Sequence, residues 1–137
     1  MANAISTGGL HHVTLTVTDL QRSIDFYTMH LGFDLLMKFE PNRALIHNGS
    51  VLLALGQPYD PAQALENDAF NENRVGLDHI SFAVDDLAAL EEAAAYFDEQ
   101  NLDHGEIRDL GGDFAIYVMA FRDPDNIQLE LTAPYPG

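Results

Sequence analysis

Gly76-Leu77-Asp78-His79-Ile80-Ser81-Phe82-Ala83-Val84-Asp85-Asp86-Leu87 is a near copy of Gly9-Leu10-His11-His12-Val13-Thr14-Leu15-Thr16-Val17-Thr18-Asp19-Leu20. An internal repeat of this kind means one structural plan used twice, so the chain has to be read in two halves. Within each copy apolar and small polar residues alternate, as a half-buried strand requires. Val13, Leu15 and Val17 fall on one face and His12, Thr14 and Thr16 on the other, and the second copy puts His79, Ser81 and Ala83 on the matching polar face. Each copy reaches an Asp-Leu pair followed by a helical pattern, which predicts a strand running into a helix capped by the Asp.

Outward from the first copy, residues 19–31 carry Leu20, Ile24, Phe26, Tyr27 and Leu31 close to helical spacing, with Gly32 as a C-terminal stop. Residues 33–39 read as a strand and Pro41-Asn42 as a turn. Residues 43–47 and 50–55 flank Asn48-Gly49, a strong hairpin signal. A two-residue turn there pairs His47 with Ser50, Ile46 with Val51, Leu45 with Leu52 and Arg43 with Ala54. Val51, Leu53 and Leu55 then face the helix, while Arg43, Leu45, His47, Leu52 and Ala54 share the other face. The first half is strand, helix, strand, strand, strand.

Residues 56–74 are rich in Pro, Asn, Asp and Gln and read as a linker or cover loop, with Tyr59 and Phe70 as loop aromatics. The second half repeats the plan. Residues 85–100, with Leu87, Leu90, Ala94 and Phe97 on one face, form an amphipathic helix. Strands follow at 104–108, 114–122 and 127–132, with turns at 110–113 and 123–126 and a loose tail from Pro134. Parity alone leaves open whether Tyr117 faces the core or the opposite side. The expected fold class is α+β, one domain over residues 1–137, with modules at about 8–56 and about 75–133 and a linker at about 57–74.

With 137 residues and 47% hydrophobic content, the chain can bury an ordinary core without staples. It has no cysteine, which excludes disulfides, thiolate metal sites and cysteine nucleophiles. No apolar run approaches a membrane span, and residues 1–7 have neither the basic start nor the apolar core of a secretion signal, so a cytoplasmic location is expected. The net charge of -16, from 22 acidic and 6 basic residues, repels nucleic acid and anionic membranes.

In the last predicted strand Ile127, Leu129 and Leu131 alternate with Gln128, Glu130 and Thr132, so Glu130 faces away from the helix side as His12 and His79 do. Two imidazoles and one carboxylate on one kind of surface make a three-ligand site with open positions. Iron(II) or manganese(II) suits it best, and zinc, nickel or cobalt are acceptable. Mixed nitrogen and oxygen ligands argue against calcium or magnesium.

Taken together, the paired strands around His12 and His79, the segment Asp19-Leu20 through Ser23-Ile24-Asp25-Phe26-Tyr27 to Leu31-Gly32-Phe33, and Arg122-Asp123-Pro124-Asp125-Asn126 before Glu130 resemble the vicinal oxygen chelate superfamily. This group includes glyoxalase I, type I extradiol dioxygenases, fosfomycin-modifying enzymes and bleomycin-binding proteins. The resemblance implies two βαβββ modules whose sheets join into an open cup around a metal, with ligands carried over to His12, His79 and Glu130. It also implies pairing of chains, so a homodimer is expected.

Three departures from the family pattern shape the functional reading. The fourth family ligand position falls on Ala54, which cannot bind metal and speaks against a glyoxalase I or epimerase mechanism. Extradiol dioxygenases and fosfomycin enzymes both usually carry a Tyr ten residues before the last Glu, where this chain has Ala120. In addition, Leu110-Gly111-Gly112-Asp113-Phe114 replaces the fosfomycin enzymes' potassium loop, which argues against that activity.

Candidates for substrate contact or proton transfer are Arg43, for a carboxylate or phenolate, His47 as a base near the hairpin tip, Tyr117, and Arg122 at the head of its turn. His11 reads as a surface histidine or a supporting partner of His12. The leading expectation is a metal-dependent enzyme acting on a small oxygen-chelating molecule, with extradiol-type dioxygenase or lyase and isomerase chemistry. The rival expectation is a metal-free protein that sequesters an aromatic natural product or antibiotic.

Overall fold

The structure is a computed structural model that describes residues 3–137; Met1 and Ala2, the first two residues of the 1–7 stretch compared with a secretion signal, lie outside the described residues. The chain divides into two compact units, Met1–Glu66 and Asn67–Gly137. Each unit is a four-stranded mixed sheet with one helix, so the repeat read from the sequence is a repeat of folding units and the class is α+β.

In the first unit the elements are β1 (Val13–Thr16), α1 (Leu20–His30), β2 (Asp34–Phe39), β3 (Arg43–His47) and β4 (Leu52–Gly56). Their sheet order is β1-β4-β3-β2, with β1 parallel to β4 and the other neighbours antiparallel. The carboxylate of Asp19 accepts the backbone N–H of Arg22 and starts α1, while Gly32, at φ 70°, lets the chain leave it. The helix packs Ile24 and Tyr27 onto the sheet face carrying Ala44, Ile46, Leu53 and Leu55, all but Ile24 wholly excluded from solvent. Tyr27 and Phe33 meet edge to face, with ring centroids 5.9 Å apart.

The hairpin register differs from the two-residue turn expected. His47 pairs with Leu52, Ile46 with Leu53, Leu45 with Ala54 and Arg43 with Gly56. The Asn48 side chain explains the shift, because its Oδ1 accepts from the N–H groups of both Ser50 and Val51 at 3.0 and 2.8 Å. This local side-chain loop competes with the primed two-residue turn and wins, leaving four residues in the connection. A slip of two residues keeps every side chain on its expected face, but it sets Arg43 opposite Gly56 rather than Ala54.

The second unit contains β5 (Ile80–Ala83), α2 (Leu87–Glu99), β6 (Arg108–Asp109), β7 (Ile116–Arg122) and β8 (Gln128–Pro134), in the sheet order β5-β8-β7-β6. Asp86 caps α2 by accepting from the N–H of Ala89. Leu90 and Phe97 cover the face of Met119, Phe121, Leu129 and Ala133, with Phe97 and Phe121 rings 4.8 Å apart. The strand expected at 104–108 is mostly absent. His104 keeps one bridge to Phe121 and regular pairing is confined to β6. The last strand instead runs into the expected tail, with Pro134 paired to Ile116 at the sheet margin, where the missing N–H costs nothing.

The stretch read as a linker splits between the units. Its first part holds a single 3-10 turn at Pro61–Gln63. Its second part is tied to the β7–β8 turn: Phe70 N–H donates to Asp125 O at 2.9 Å, Asn126 Nδ2 donates to Phe70 O at 2.9 Å, and Glu72 meets Arg122. No helix is long and apolar enough to cross a membrane among the described residues.

Candidate metal centre

The polar face of each sheet carries the candidate ligands, and the same strand pair builds it in both units. In the second unit β5 lies parallel to β8 with Ser81 opposite Glu130; in the first, β1 lies parallel to β4 with Thr14 opposite Ala54. Ala54 is therefore the structural counterpart of Glu130, as the sequence comparison of the two halves predicted. His79 and His12 each immediately precede the matching strand, β5 and β1, and continue its polar alternation.

His79 and Glu130 are brought together. Nε2 of the histidine lies 3.7 Å from Oε1 of the glutamate, too far for a hydrogen bond. On its other side Nδ1 lies 2.7 Å from Asp78 Oδ1. A carboxylate only accepts, so Nδ1 donates to Asp78 and Nε2 is the nitrogen left on the Glu130 side. Gln128 Nε2 donates to both the carbonyl and the carboxylate of Asp78, at 3.1 and 3.0 Å, which holds that carboxylate in place. Thr132 Oγ1 donates to Glu130 at 3.2 Å and also meets Ser81 Oγ.

The first unit repeats this in part at the same positions of the repeat. His11 occupies the place of Asp78, and its Nδ1 lies 2.8 Å from Nδ1 of His12, with the two rings edge to face. One of these nitrogens must donate and the other accept. Donation from His12 leaves its Nε2 lone pair free, the state His79 adopts beside Asp78.

This donor set fits a divalent ion. Two ligands each about 2.0 to 2.2 Å from a common metal sit about 3.0 to 3.5 Å apart, near the observed His79 to Glu130 separation. A carboxylate behind a ligating histidine is the usual outer support of such sites. Among the described residues no group of three or more His, Cys, Asp or Glu side chains stands close enough together to hold a metal ion.

The other candidates separate. Arg122 shares the Glu130 face but is fully engaged: it meets Glu72 through two bonds of 2.9 Å and also donates to Asn126 O at 3.1 Å. That ion pair pulls the Glu72 carboxyl down to about 2. Tyr117 pairs with Ala133 on the helix side and stacks on Tyr135 at 4.8 Å, which takes it off the Glu130 face. Ala120 stands directly across from Glu130, so no phenol reaches the carboxylate from β7. His47 is half-buried at the end of β3, opposite Leu52, on the same sheet face as Ala54.

Arg43 is buried, 5% exposed, on that same face. Sequence reading missed the Asp78–Gln128 support, although Asp78 and His11 stand at the same repeat position. Their alignment was the available signal.

A model of the Glyoxalase/Bleomycin resistance protein/Dioxygenase superfamily matches residues 9–131. The chain belongs to this superfamily. Within the glyoxalase/bleomycin resistance protein/dioxygenase superfamily it is 30% identical over 125 residues, 90% of this chain and 81% of the relative, to the metallothiol transferase FosB of Staphylococcus epidermidis. It is 26% identical over 137 residues, 97% of this chain, to the putative ring-cleaving dioxygenase MhqA of Bacillus subtilis, of which it spans 42%. A glyoxylase/bleomycin resistance protein/dioxygenase domain from Frankia sp. EAN1pec matches in structure with a TM-score of 0.79, 29% identity and 96% coverage of both chains.

Proposed function

We propose that the protein is a metal-dependent enzyme of the superfamily in which His12, His79 and Glu130 together hold one divalent ion, iron(II) or manganese(II) in preference to zinc, nickel or cobalt. The observation carrying this reading is the Asp78–His79–Glu130 alignment, repeated in part by His11–His12. The modules act as one domain, and His12 comes from the same chain or from a second copy in a homodimer. A cytoplasmic location accords with the absence of a membrane-length apolar helix among the described residues.

A divalent ion at these residues would supply Lewis-acid polarisation of two neighbouring substrate oxygens and, as iron(II), access to dioxygen chemistry. The chain's own part is to present the donors. Asp78 keeps the proton of His79 on Nδ1 and fixes the ring, Gln128 fixes Asp78, and Thr132 steadies the Glu130 carboxylate. With three protein donors the remaining coordination positions stay open to substrate. Ala54 leaves no side-chain base where a fourth ligand would stand, so proton transfer falls to another group, and His47, on the same sheet face as Ala54, is a candidate.

Ring-cleaving dioxygenation is the leading reaction. The FosB similarity makes thiol transfer the second reaction to assay, although Ala120 and Leu110 to Phe114 depart from the fosfomycin enzymes. Elemental analysis of untagged protein purified without added metal, with His79→Ala and Glu130→Ala alongside, tests the centre. Near-stoichiometric metal that disappears in both variants supports it, and catechol turnover under oxygen or thiol transfer to fosfomycin then chooses the reaction. Folded wild-type protein that stays metal-free after reconstitution would overturn the enzyme reading in favour of metal-free sequestration of an aromatic compound.

A further inference from the structure

Arg43 is a buried cation without an anion. Its side chain is 5% exposed, Nε has no hydrogen-bond partner, and Nη2 makes only a long contact of 3.4 Å to the carbonyl of Gln57. No carboxylate of this strongly acidic chain pairs with it among the described residues. Burying a guanidinium without an anion or a full set of hydrogen bonds is unfavourable unless something satisfies it.

Two neighbours pack against the guanidinium. A Cβ at Gly56 would run into Nη1 and Cζ, so a side chain at this position would displace the group. The Tyr59 ring covers Cζ at 3.5 Å from its centroid. Neither neighbour gives Nε an acceptor, and the Nε–Nη2 edge, the edge that takes an oxyanion through two parallel bonds, has only the long contact to the Gln57 carbonyl.

Arg43 also stands in a useful place. Opposite Gly56, it shares the sheet face of Thr14, Thr16 and Ala54, the face that His12 continues. The Gly56 level is four residues along β4 from the level of His12, about 13 Å at the rise of a strand.

We propose that Arg43, packed against Gly56 and Tyr59, binds the anionic end of the substrate, a carboxylate or phosphonate oxyanion, while the opposite end of that small molecule carries the metal-chelating oxygens. The substrate is therefore two-ended, and Arg43 is a specificity residue rather than a proton carrier. The second half of this statement rests on the metal reading above; the anion slot itself does not.

The test is an arginine side-chain NMR titration of metal-free, 15N-labelled full-length protein with benzoate and with phenylphosphonate, using chloride at matched ionic strength as control. The Arg43 Nε–H signal is identified by its loss in Arg43→Gln. The expected result is a saturable downfield shift of that signal with one or both organic anions, none with chloride, and binding weakened by roughly tenfold or more in Arg43→Gln. Arg43→Lys keeps the charge and loses the fork, so it should retain only weak binding even if Arg43→Gln fails to fold. Preference between the two probes names the oxyanion.

No saturable shift with either probe, an equal response to chloride, or undiminished binding in a folded Arg43 variant would overturn the proposal. Metal content is measured on a separate sample. Anion binding without metal binding would sink the metal reading alone, and metal binding without anion binding would sink only the slot.

Discussion

Asp78 Oδ1 lies 2.7 Å from His79 Nδ1, and this one hydrogen bond decides which histidine nitrogen is left to face Glu130. With Nδ1 occupied by Asp78, Nε2 is the nitrogen turned to the carboxylate side. His11 stands in the same relation to His12, with an imidazole ring in place of the carboxylate. The two supports differ in strength, because a charged acceptor makes the shorter and firmer bond.

Asp78→Ala should accordingly weaken divalent metal binding by about 10- to 100-fold, the usual effect of losing an outer support, with little change in folding. Competition against a chromogenic chelator measures it. His11→Ala should have the smaller effect of the two. Equal affinity in wild type and Asp78→Ala would show that this carboxylate does not support a ligand.

The Glu72–Arg122 pair pins residues 70–72 to the β7–β8 turn, and its acid dependence has a definite sign. The Glu72 carboxyl is lowered from 4.5 to about 2, chiefly by its hydrogen bonds to Arg122. A depressed folded value stabilises above the unfolded value, so the contribution is complete above pH 4.5 and fades as pH falls toward 2. Urea unfolding at pH 5 and pH 3 should show wild type losing more than Glu72→Gln over that interval. Parallel losses in the two proteins would contradict the pairing.

His104 gives the opposite sign. Its Nε2 lies 2.8 Å from Asp98 Oδ1 and its Nδ1 2.7 Å from Gly105 O, so both nitrogens donate and the ring is held protonated. The Asp98 bond is the main cause of its raised pKa, with the Gly105 carbonyl next. A raised folded value stabilises fully below 6.5 and the benefit disappears as pH climbs through the folded value. His104→Gln should cost about 1 kcal/mol at pH 6, from its lost hydrogen bonds, and distinctly less at pH 9 by denaturant unfolding. A deficit that does not shrink with pH would rule out the charged form.

Gly56→Ala puts a Cβ where the Arg43 guanidinium lies. Overpacking of this kind costs about 1 to 3 kcal/mol. Thermal unfolding should show the loss, and Gly56→Ala combined with Arg43→Ala should recover part of it because the clash is gone. Additive losses in the double variant would mean that the two residues do not compete for space.

The repeat, the helix starts at Asp19 and Asp86, the strand parities and the position of Glu130 were all legible in the chain, because each is a matter of local spacing. Alternation with a period of two fixes a face wherever one side of a strand is buried, and an Asp before a helical pattern caps it from a neighbouring residue. The same locality exposed Ala54 as the vacant counterpart of Glu130, and the structure keeps it there. Composition alone ruled out thiolate chemistry and made polyanion binding unfavourable.

What only the tertiary structure decided depends on contacts between distant residues or on a competition that spacing does not weigh. The Asn48 side chain captured Ser50 and Val51 and moved the hairpin by two residues, which carried Arg43 from Ala54 to Gly56. Arg122 was taken by Glu72, fifty residues away, and Tyr117 by Ala133 and Tyr135 on the helix side. Sequence names the side chains a face can offer. Which of them stay free to meet a ligand is settled by the partners that folding brings to each one, and in this chain folding left Arg43 buried with no acceptor on Nε while it saturated Arg122.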